Sequence, residues 1–545
     1  MSNKNKKYIF VVGGVMSSVG KGITTASIGK ILQARGFKVT ALKADPYINV
    51  DAGTMNPTEH GEVFVTSDKD ETDQDIGNYE RFLGVDILSC NYMTTGRIYQ
   101  TVIKKERNLE YKGKCVEVIP HIPDEIIRRI DLALKKTKSE IAVIEIGGTI
   151  GEYQNALFIE AARQMKLKDP ENVAIVMVSY LPIPAKVGEM KTKPTQTAAR
   201  ALNAAGVQAD FVVCRADRAL DEKRKEKIAL FCGVKKGHVI SAPDVETIYE
   251  VPLNFEKDGF SEKLIKILNL KGAKKDLKDW TALVRKIKRE KPVVNVGIVG
   301  KYFKTGDFTL ADSYISVIEA LKHAAWKNNV DINIDWLSSE KYEENKRNLG
   351  ELSDYDGILI PGGFGSRGTE GKLRAIEYVR ENKIPYFGLC LGMQLASIEF
   401  ARNVVGLKRA NSLELDPKAP QQIFIANPFQ QQNIKEKKYG GTMRLGACPC
   451  EVKKGTQAYQ AYKSEDIVER HRHRYEFNNQ YLEKLAKAGL VISGLYKKNK
   501  LVEIVELSKN VHPWFVGVQF HPEFQSRPLT GHPLFNAFIK AALKK

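Results

Sequence analysis

No stretch of the 545-residue chain approaches the roughly 20 consecutive apolar residues that a membrane-spanning helix needs, which argues against a membrane protein. Paired cysteines are also missing. Cys90, Cys115, Cys214, Cys232, Cys390, Cys448 and Cys450 are odd in number and scattered, which is not the pattern of a disulfide framework. Cys448 and Cys450 form a lone C-P-C with no second pair, so no zinc site is expected there. Internal repeats and long low-complexity tracts are absent. The opening MSNKNKKYIFVVGGVM sets basic residues before an apolar run but has no small-residue cleavage site, so it reads as a strand and the expectation is cytoplasmic. The scarce charge is negative, with 65 acids against 84 lysines and arginines and a net charge of +19. A basic excess suits nucleic acid, polyanionic small molecules or a basic proteome. The basic residues are spread out, with only short runs such as KGAKKDLKDW and RHRHR, so nucleic acid is not the expected partner.

What is present is the texture of a soluble α/β protein of two or more domains. YIFVVGG, FKVTALK, EIAVIEIGG, NVAIVMVSYLP and ADFVVCRAD read as buried parallel strands. TTASIGKILQARG and PDEIIRRIDLALKKT read as helices between them, giving a mainly parallel sheet covered by helices. At residues 268–292 the charged stretch LNLKGAKKDLKDWTALVRKIKREKP reads as a linker containing a helix. The pattern then restarts with VVNVGIVGKY, DINIDWL, YDGILIPGG and IPYFGLCLG. The expected division is a domain at 1–270, a linker at 271–292 and a second α/β domain at 293–545. The tract DPKAPQQIFIANPFQQQNIKEKKYGG reads as a surface insertion.

Two constellations carry chemistry. In GGVMSSVGKGITT a strand, a glycine-rich loop and a helix surround Lys21, the context in which loop amides and a helix N-terminus cradle phosphate. The spacing departs from G-x-x-x-x-G-K-[ST]: Gly14 and Gly20 are five residues apart, and Gly22 stands where a hydroxyl normally helps hold the metal. Acids elsewhere must then serve a divalent cation. Glu145 interrupts the apolar strand EIAVIEIGG, a costly place for an acid without a partner or function. Asp75 lies in the acidic stretch DKDETDQDIGNYE, where spacing alone does not choose between it, Asp70 and Asp73. In GEMKTKPTQTAAR, Pro194 suits the first turn of a helix, whose N-terminus with Lys191 and Lys193 would suit a second phosphate group or be merely a basic loop.

The second constellation is the G-x-C-x-G of IPYFGLCLGMQ, a nucleophile elbow with Cys390 in place of serine. A helix N-terminus there favours the thiolate. The amide of Leu391 and one near Gly363 would form an oxyanion hole. WFVGVQFHPEF supplies His521 as base and Glu523 to orient it. His471 and His473 in RHRHR read as an exposed or ligand-facing basic segment.

PGGFG, GLCLGMQ and FHPEF resemble class I glutamine amidotransferases. GGVMSSVGKG, ADPYINVDAGTMNPTEHGEVFV, EIGGTIGE, KTKPTQ, ALFC and ERHRHRYEFNN, in order and over nearly the whole chain, resemble the CTP synthase family. The resemblance implies a P-loop-like synthetase domain joined to a class I glutaminase domain. It implies ATP-dependent amination of UTP to CTP with ammonia from glutamine, passed through an internal tunnel. Mg²⁺, GTP as allosteric activator, CTP as feedback inhibitor and a homotetramer are implied too, with no nucleic-acid or membrane partner. Motif by motif, Ser17 is expected at the pyrimidine nucleotide. Ser18, Val19, Gly20, Lys21, Gly22 and Ile23 are expected at ATP, Lys21 being the catalytic cation, with Lys43 near the phosphates and Val245 at adenine. Asp75 and Glu145 would hold Mg²⁺, Asp75 also meeting ATP. Lys191, Thr192, Lys193, Pro194, Thr195, Gln196 and Lys227 would bind UTP or CTP. Gly363, Leu391, Gly392, Met393, Gln394, Glu414 and Arg474 would hold glutamine, Arg474 pairing its carboxylate and Glu414 its ammonium. One departure stands out: after GGTIG the family's usual D-I-E-S is replaced by Glu152, Tyr153, Gln154 and Asn155. This segment belongs to the pyrimidine-nucleotide site, where altered UTP affinity or CTP inhibition would show. Another amidoligase fused to a glutaminase, such as one acting on a corrinoid carboxylate, is disfavoured by KTKPTQ. A non-catalytic nucleotide-sensing or filament-forming scaffold is disfavoured by the intact loop and triad.

Overall fold

The apolar runs of the first half form a seven-stranded sheet, parallel throughout. Its spatial order is Tyr92–Thr94, Val39–Asp45, Ile141–Ile146, Lys7–Gly13, Val173–Tyr180, Phe211–Ala216 and Val239–Pro243. The five middle strands are buried at almost every position because helices cover both faces. Strand order reverses around Lys7–Gly13, so the loops after that strand and after Ile141–Ile146 open at the crevice where α/β sheets hold ligands.

The computed structural model describes residues 6–186, 188–300, 304–305, 308–309, 311–363, 365–426 and 442–544. It separates into two units, Met1–Ala52 with Asp75–Val284, and Gly53–Gln74 with Arg285–Lys545. The charged stretch read as a linker carries the helix Lys278–Ile287. Trp280 on it is buried, stands edge-on to Tyr249 and donates Nε1–H to the Tyr249 carbonyl at 2.7 Å. Truncating such a tryptophan costs about 3–5 kcal/mol, so this helix is anchored and the first unit continues through Val284.

The second unit has a nine-stranded sheet in the order Asp331–Ser338, Val293–Gly300, Gly357–Ile360, Tyr386–Leu389, Phe515–Val518, Leu501–Leu507, Leu490–Tyr496, Arg444–Val452 and Asp466–His473. The first five strands are parallel and the rest pair antiparallel. The parallel half carries Cys390 and His521 just beyond its strand ends. Part of the tract read as a surface insertion is the strand Gln421–Ala426, with Ile423, Phe424 and Ala426 buried. The tract's last part, 427–441, lies outside the described residues.

The segment Gly53–Gln74 folds with the second unit although its neighbours on both sides belong to the first. It forms the hairpin Phe64–Val65 with Glu71–Thr72. Phe64 is buried edge-on against Phe524, and the Val65 carbonyl accepts from Arg470 at 3.1 Å. The Glu62 carboxylate accepts from the amide and hydroxyl of Ser316 in the first turn of helix Ile315–Lys327, where the helix dipole favours an anion.

His471 and His473 overturn the exposed half of the reading of RHRHR, while Arg472 between them lines the cavity of Cys390. The two histidines lie two apart on one strand, share a face and are both buried. His471 Nδ1 and His473 Nε2 are 2.9 Å apart. Burial, then the Arg444 charge, holds both imidazoles well below their usual pKa, so they are neutral core groups. No described helix is long and apolar enough to cross a membrane.

Candidate functional site

In the first unit the strand Lys7–Gly13 leads through a loop into helix Lys21–Gln33, capped by Gly20 at φ 89° with no side chain satisfying the first amides. Those amides are free to meet an anion. Val15 and Ser18 hold positive φ, a strained turn that suits a functional loop. Lys21 is buried and donates Nζ–H to the Gly148 carbonyl at 2.8 Å. Burial pulls its ammonium pKa down, opposed by Glu145.

The odd Gly22 now has a physical reason. A Cβ there would lie 2.0 Å from Asp75 Oδ1, so a side chain at this position and the Asp75 carboxylate exclude each other. Asp75 opens the helix Asp75–Leu83 and puts its oxygen beside Lys21's neighbour, where an ordinary phosphate loop has a hydroxyl. Asp70 and Asp73 fall in the second unit, which separates the three acids that spacing could not. Glu145 is buried, and burial, then Asp75, pushes its carboxyl pKa up. Lys43 stands opposite Glu145 in register and donates to Glu145 Oε1 at 2.9 Å and to Asp75 Oδ2. Among the described residues no three acids, imidazoles or thiols are grouped as metal ligands. The Asp75 and Glu145 pair, hard oxygen donors beside a phosphate loop, nevertheless fits Mg²⁺, which commonly takes one or two carboxylates and completes its shell with water and substrate phosphate.

A cavity of roughly 410 Å³ joins Gly20 and Ile23 of the loop to Val245, Arg215 and Asn254. Val245 therefore lines a pocket next to the glycine-rich loop. On the other side, the Ile150 amide donates to the Gly13 carbonyl, and a Cβ on Gly14 would meet that of Ala198 at 2.5 Å. This packs the loop against residues 147–155 and against helix Lys193–Ala204, whose first turn holds Pro194. Thr195 is buried and accepts from Ser179 Oγ at 2.8 Å, Gln196 donates to Thr192 Oγ1, and Lys191 pairs with Glu189. Ser17, Glu152, Gln154, Lys193 and Lys227 are exposed, and Tyr153 is 98% exposed.

In the second unit Cys390 sits at φ 47°, ψ −98° between strand Tyr386–Leu389 and helix Leu391–Asn403. That strained turn leaves the sulfur 3.9 Å from the Arg472 carbonyl. Gly392 is required: a Cβ there would be 2.3 Å from the Ile360 carbonyl. His521 Nδ1 lies 2.7 Å from Glu523 Oε1, and among the described residues Nε2 has no hydrogen-bond partner. Burial opposes its charge, but Glu523, then Cys390, prevail and push the imidazole pKa up to about 10. Cys390, His521 and Glu523 line one cavity of roughly 130 Å³ with Gly363 and with Pro57, Glu62 and Val63 of the inserted segment. Leu391 opens the helix with its amide uncapped, and its side chain lies 3.6 Å from where a Gly363 Cβ would be. Glu414 accepts from the Gly365 amide at 3.1 Å. Burial pulls the Arg474 guanidinium pKa down while Glu71 and Glu414 hold it up, so these charges are neighbours. The Met393 side chain belongs to the core, and Gln394 donates to Gln519 at 3.3 Å.

The CTP synthase N-terminus family matches residues 7–270 and the class-I glutamine amidotransferase family residues 309–541. A relative named CTP synthase, from Caldanaerobacter subterraneus subsp. tengcongensis, is 53% identical over 98% of this chain and 98% of its own. The chain belongs to the CTP synthase family. Another CTP synthase, from Carboxydothermus hydrogenoformans, is 51% identical over 99% of each chain. The glutaminase domain of Trypanosoma brucei CTPS, solved with bound acivicin, is 40% identical at a TM-score of 0.42, covering 46% of this chain and 94% of that structure.

As a CTP synthase family member the chain is a glutamine-dependent ligase. Several groups at its sites escaped the sequence reading. Asp45, with Oδ1 3.7 Å from Lys43 Nζ, and Arg215, paired to Asp244 at 2.6 Å, both stand at or near the end of an apolar strand. That is the signal that exposed Glu145. Gln519, 3.7 Å from Cys390 Sγ, and Arg472, bound to Glu71 at 2.9 Å, carry no such mark. Nothing in the periodicity of residues 53–74 says that they line the cysteine's cavity.

Proposed function

We propose that this chain converts UTP, ATP and glutamine to CTP, ADP, phosphate and glutamate in cytoplasmic pyrimidine nucleotide synthesis. The reading includes a homotetramer activated by GTP and inhibited by CTP, as the family implies, and a synthetase portion at 1–270 joined through 271–292 to a glutaminase portion at 293–545. The observation that carries it is the Cys390, His521 and Glu523 triad on the same chain as a phosphate loop whose missing hydroxyl is replaced by Asp75.

In the glutaminase, the proton of Cys390 is held on His521 Nε2 while Cys390 Sγ attacks the carboxamide carbon of glutamine. Glu523 holds the imidazole in orientation through Nδ1 and stabilises its charge. The amides of Leu391 and near Gly363 receive the oxyanion. His521 then returns the proton to the departing ammonia, and water, losing a proton to the same imidazole, hydrolyses the thioester to glutamate. Arg474 and Glu414 hold the substrate's carboxylate and ammonium. In the synthetase, the loop amides and Lys21 bind and align the ATP phosphates while the γ-phosphoryl moves to O4 of UTP, a task of positioning and charge stabilisation. Asp75 and Glu145 would hold Mg²⁺, which when bound neutralises phosphate charge. Val245 and Arg215 line the adenine pocket. Ser17, residues 152–154, residues 191–196 and Lys227 receive the pyrimidine nucleotide. Ammonia adds at C4, and phosphate leaves with the bond to O4.

The test is CTP formation followed by absorbance, with ATP, UTP, Mg²⁺ and either glutamine or ammonium. Both nitrogen sources support synthesis in the intact chain. Cys390→Ala abolishes the glutamine-dependent rate and keeps the ammonium-dependent one; glutamine-dependent synthesis surviving in Cys390→Ala would refute the assignment.

A further inference from the structure

We propose that Lys43 is a built-in stand-in for the metal ion. Its ammonium occupies the Asp75 and Glu145 carboxylates in the nucleotide-free chain, and incoming phosphate draws it off as the cation enters. The inference rests on the reading of those two acids as the Mg²⁺ site and adds an exchange that the reading does not contain.

The geometry is that of a cation among its ligands. Lys43 Nζ donates to Glu145 Oε1 at 2.9 Å and to Asp75 Oδ2, with Asp45 Oδ1 at 3.7 Å. The other oxygen of Glu145 accepts from Tyr79, and Asp45 Oδ2 accepts from Tyr47 at 2.8 Å, so the acids are fixed in place. Lys43 and Glu145 are both buried. A buried carboxylate facing a half-buried one is costly unless a positive charge lies between them. A structural ion pair would also meet that need. The placement distinguishes the cases. Lys43 sits near the end of its strand, at the carboxyl end of the sheet where phosphates are expected, close enough to Lys21 to oppose that lysine's charge. Its flexible four-carbon stem lets the ammonium swing to a phosphate without disturbing the backbone. Mg²⁺ gives up water reluctantly and uses one or two carboxylates with substrate phosphates. Two acids guarded by a lysine therefore take the cation well only when a phosphate arrives to engage the ammonium.

The experiment measures Mn²⁺ binding to the full-length chain without nucleotide, from the electron paramagnetic resonance signal of free Mn²⁺, with Mg²⁺ as competitor. Lys43→Met is expected to bind one Mn²⁺ at least about tenfold more tightly than the parent chain, a conservative effect for removing a unit charge a few ångströms away. Lys43→Gln, which keeps most of the stem and a polar end, is expected to do the same. Lys43→Arg keeps the charge and gains nothing. Adding Asp75→Asn to Lys43→Met removes the gain. If neither neutral variant binds Mn²⁺ more tightly than the parent, the stand-in is wrong. The underlying metal assignment is tested apart from it. Asp75→Asn and Glu145→Gln alone should weaken Mn²⁺-dependent ATP binding. If they do not, that assignment fails; if they do while Lys43→Met gains nothing, only the exchange fails.

Discussion

Replacing Glu523 with glutamine keeps the shape of the triad and removes one charge from beside His521. The imidazole pKa stands at about 10 because the Glu523 carboxylate, 2.7 Å from Nδ1, and then Cys390 outweigh burial. A unit charge about 4 Å away in an effective dielectric of 20 is worth about 4 kcal/mol, or roughly three pKa units. Glu523→Gln should therefore bring the His521 pKa to about 7. The proton returned to the leaving ammonia resides on this ring, so the glutaminase rate falls as pH rises through its pKa. The assay is glutamate release, as kcat/KM from about pH 6 to 10.5. The parent chain should keep its rate to near pH 10, while Glu523→Gln should lose it from near pH 7 upward, leaving the two closest at acid pH. The same raised pKa makes a stability prediction. A cation favoured in the folded state contributes fully below the unfolded pKa of about 6.5 and is lost as pH rises through about 10. Glu523→Gln should therefore narrow its stability deficit as pH is raised from 6 to 10. Coincident alkaline limbs in the two proteins would refute the reasoning.

Gly392→Ala puts a methyl 2.3 Å from the Ile360 carbonyl in a rigid core, so a loss of roughly 1–3 kcal/mol in denaturant unfolding and reduced glutamine hydrolysis are expected. Glu62→Ala leaves the Ser316 amide and hydroxyl without their buried acceptor, for a loss of about 1–3 kcal/mol, read as a lower unfolding midpoint. Burial, against the pull of Arg444, pushes the Glu476 carboxyl pKa up to about 8, so its folded form binds a proton that the unfolded form sheds near 4.5. That lowers stability as pH rises between those values; Glu476→Gln should gain on the parent in melting temperature between pH 5 and 8.5, and a difference independent of pH would count against it.

The sequence is legible where chemistry interrupts a pattern. The parallel strands were readable because both faces are buried, which leaves nearly unbroken apolar runs such as YIFVV and IAVIEI. The same uniformity makes a charge at a strand end conspicuous, which exposed Glu145 and would equally have exposed Asp45 and Arg215. Cys390 was readable because its flanking glycines mark a turn too tight for side chains, and Gly392 indeed abuts the Ile360 carbonyl. Two kinds of feature were not readable. His471 and His473 carry the letters of an exposed basic run, yet their partners Arg444, Glu476 and Glu503 come from three other strands, so burial there is a property of pairing that no local window contains. The segment Gly53–Gln74 is a sharper case. It leaves the first unit after Ala52 and returns at Asp75, and it is held in the second by Glu62, Phe64 and Glu71 through partners more than 240 residues away. Its return point is the residue whose carboxylate excludes a side chain at Gly22. The chain that brings the Asp75 carboxylate against Gly22 has just lined the cysteine's cavity with Pro57, Glu62 and Val63. The aperiodic stretch before Asp75 is thus a single excursion of the backbone out of the first unit and back.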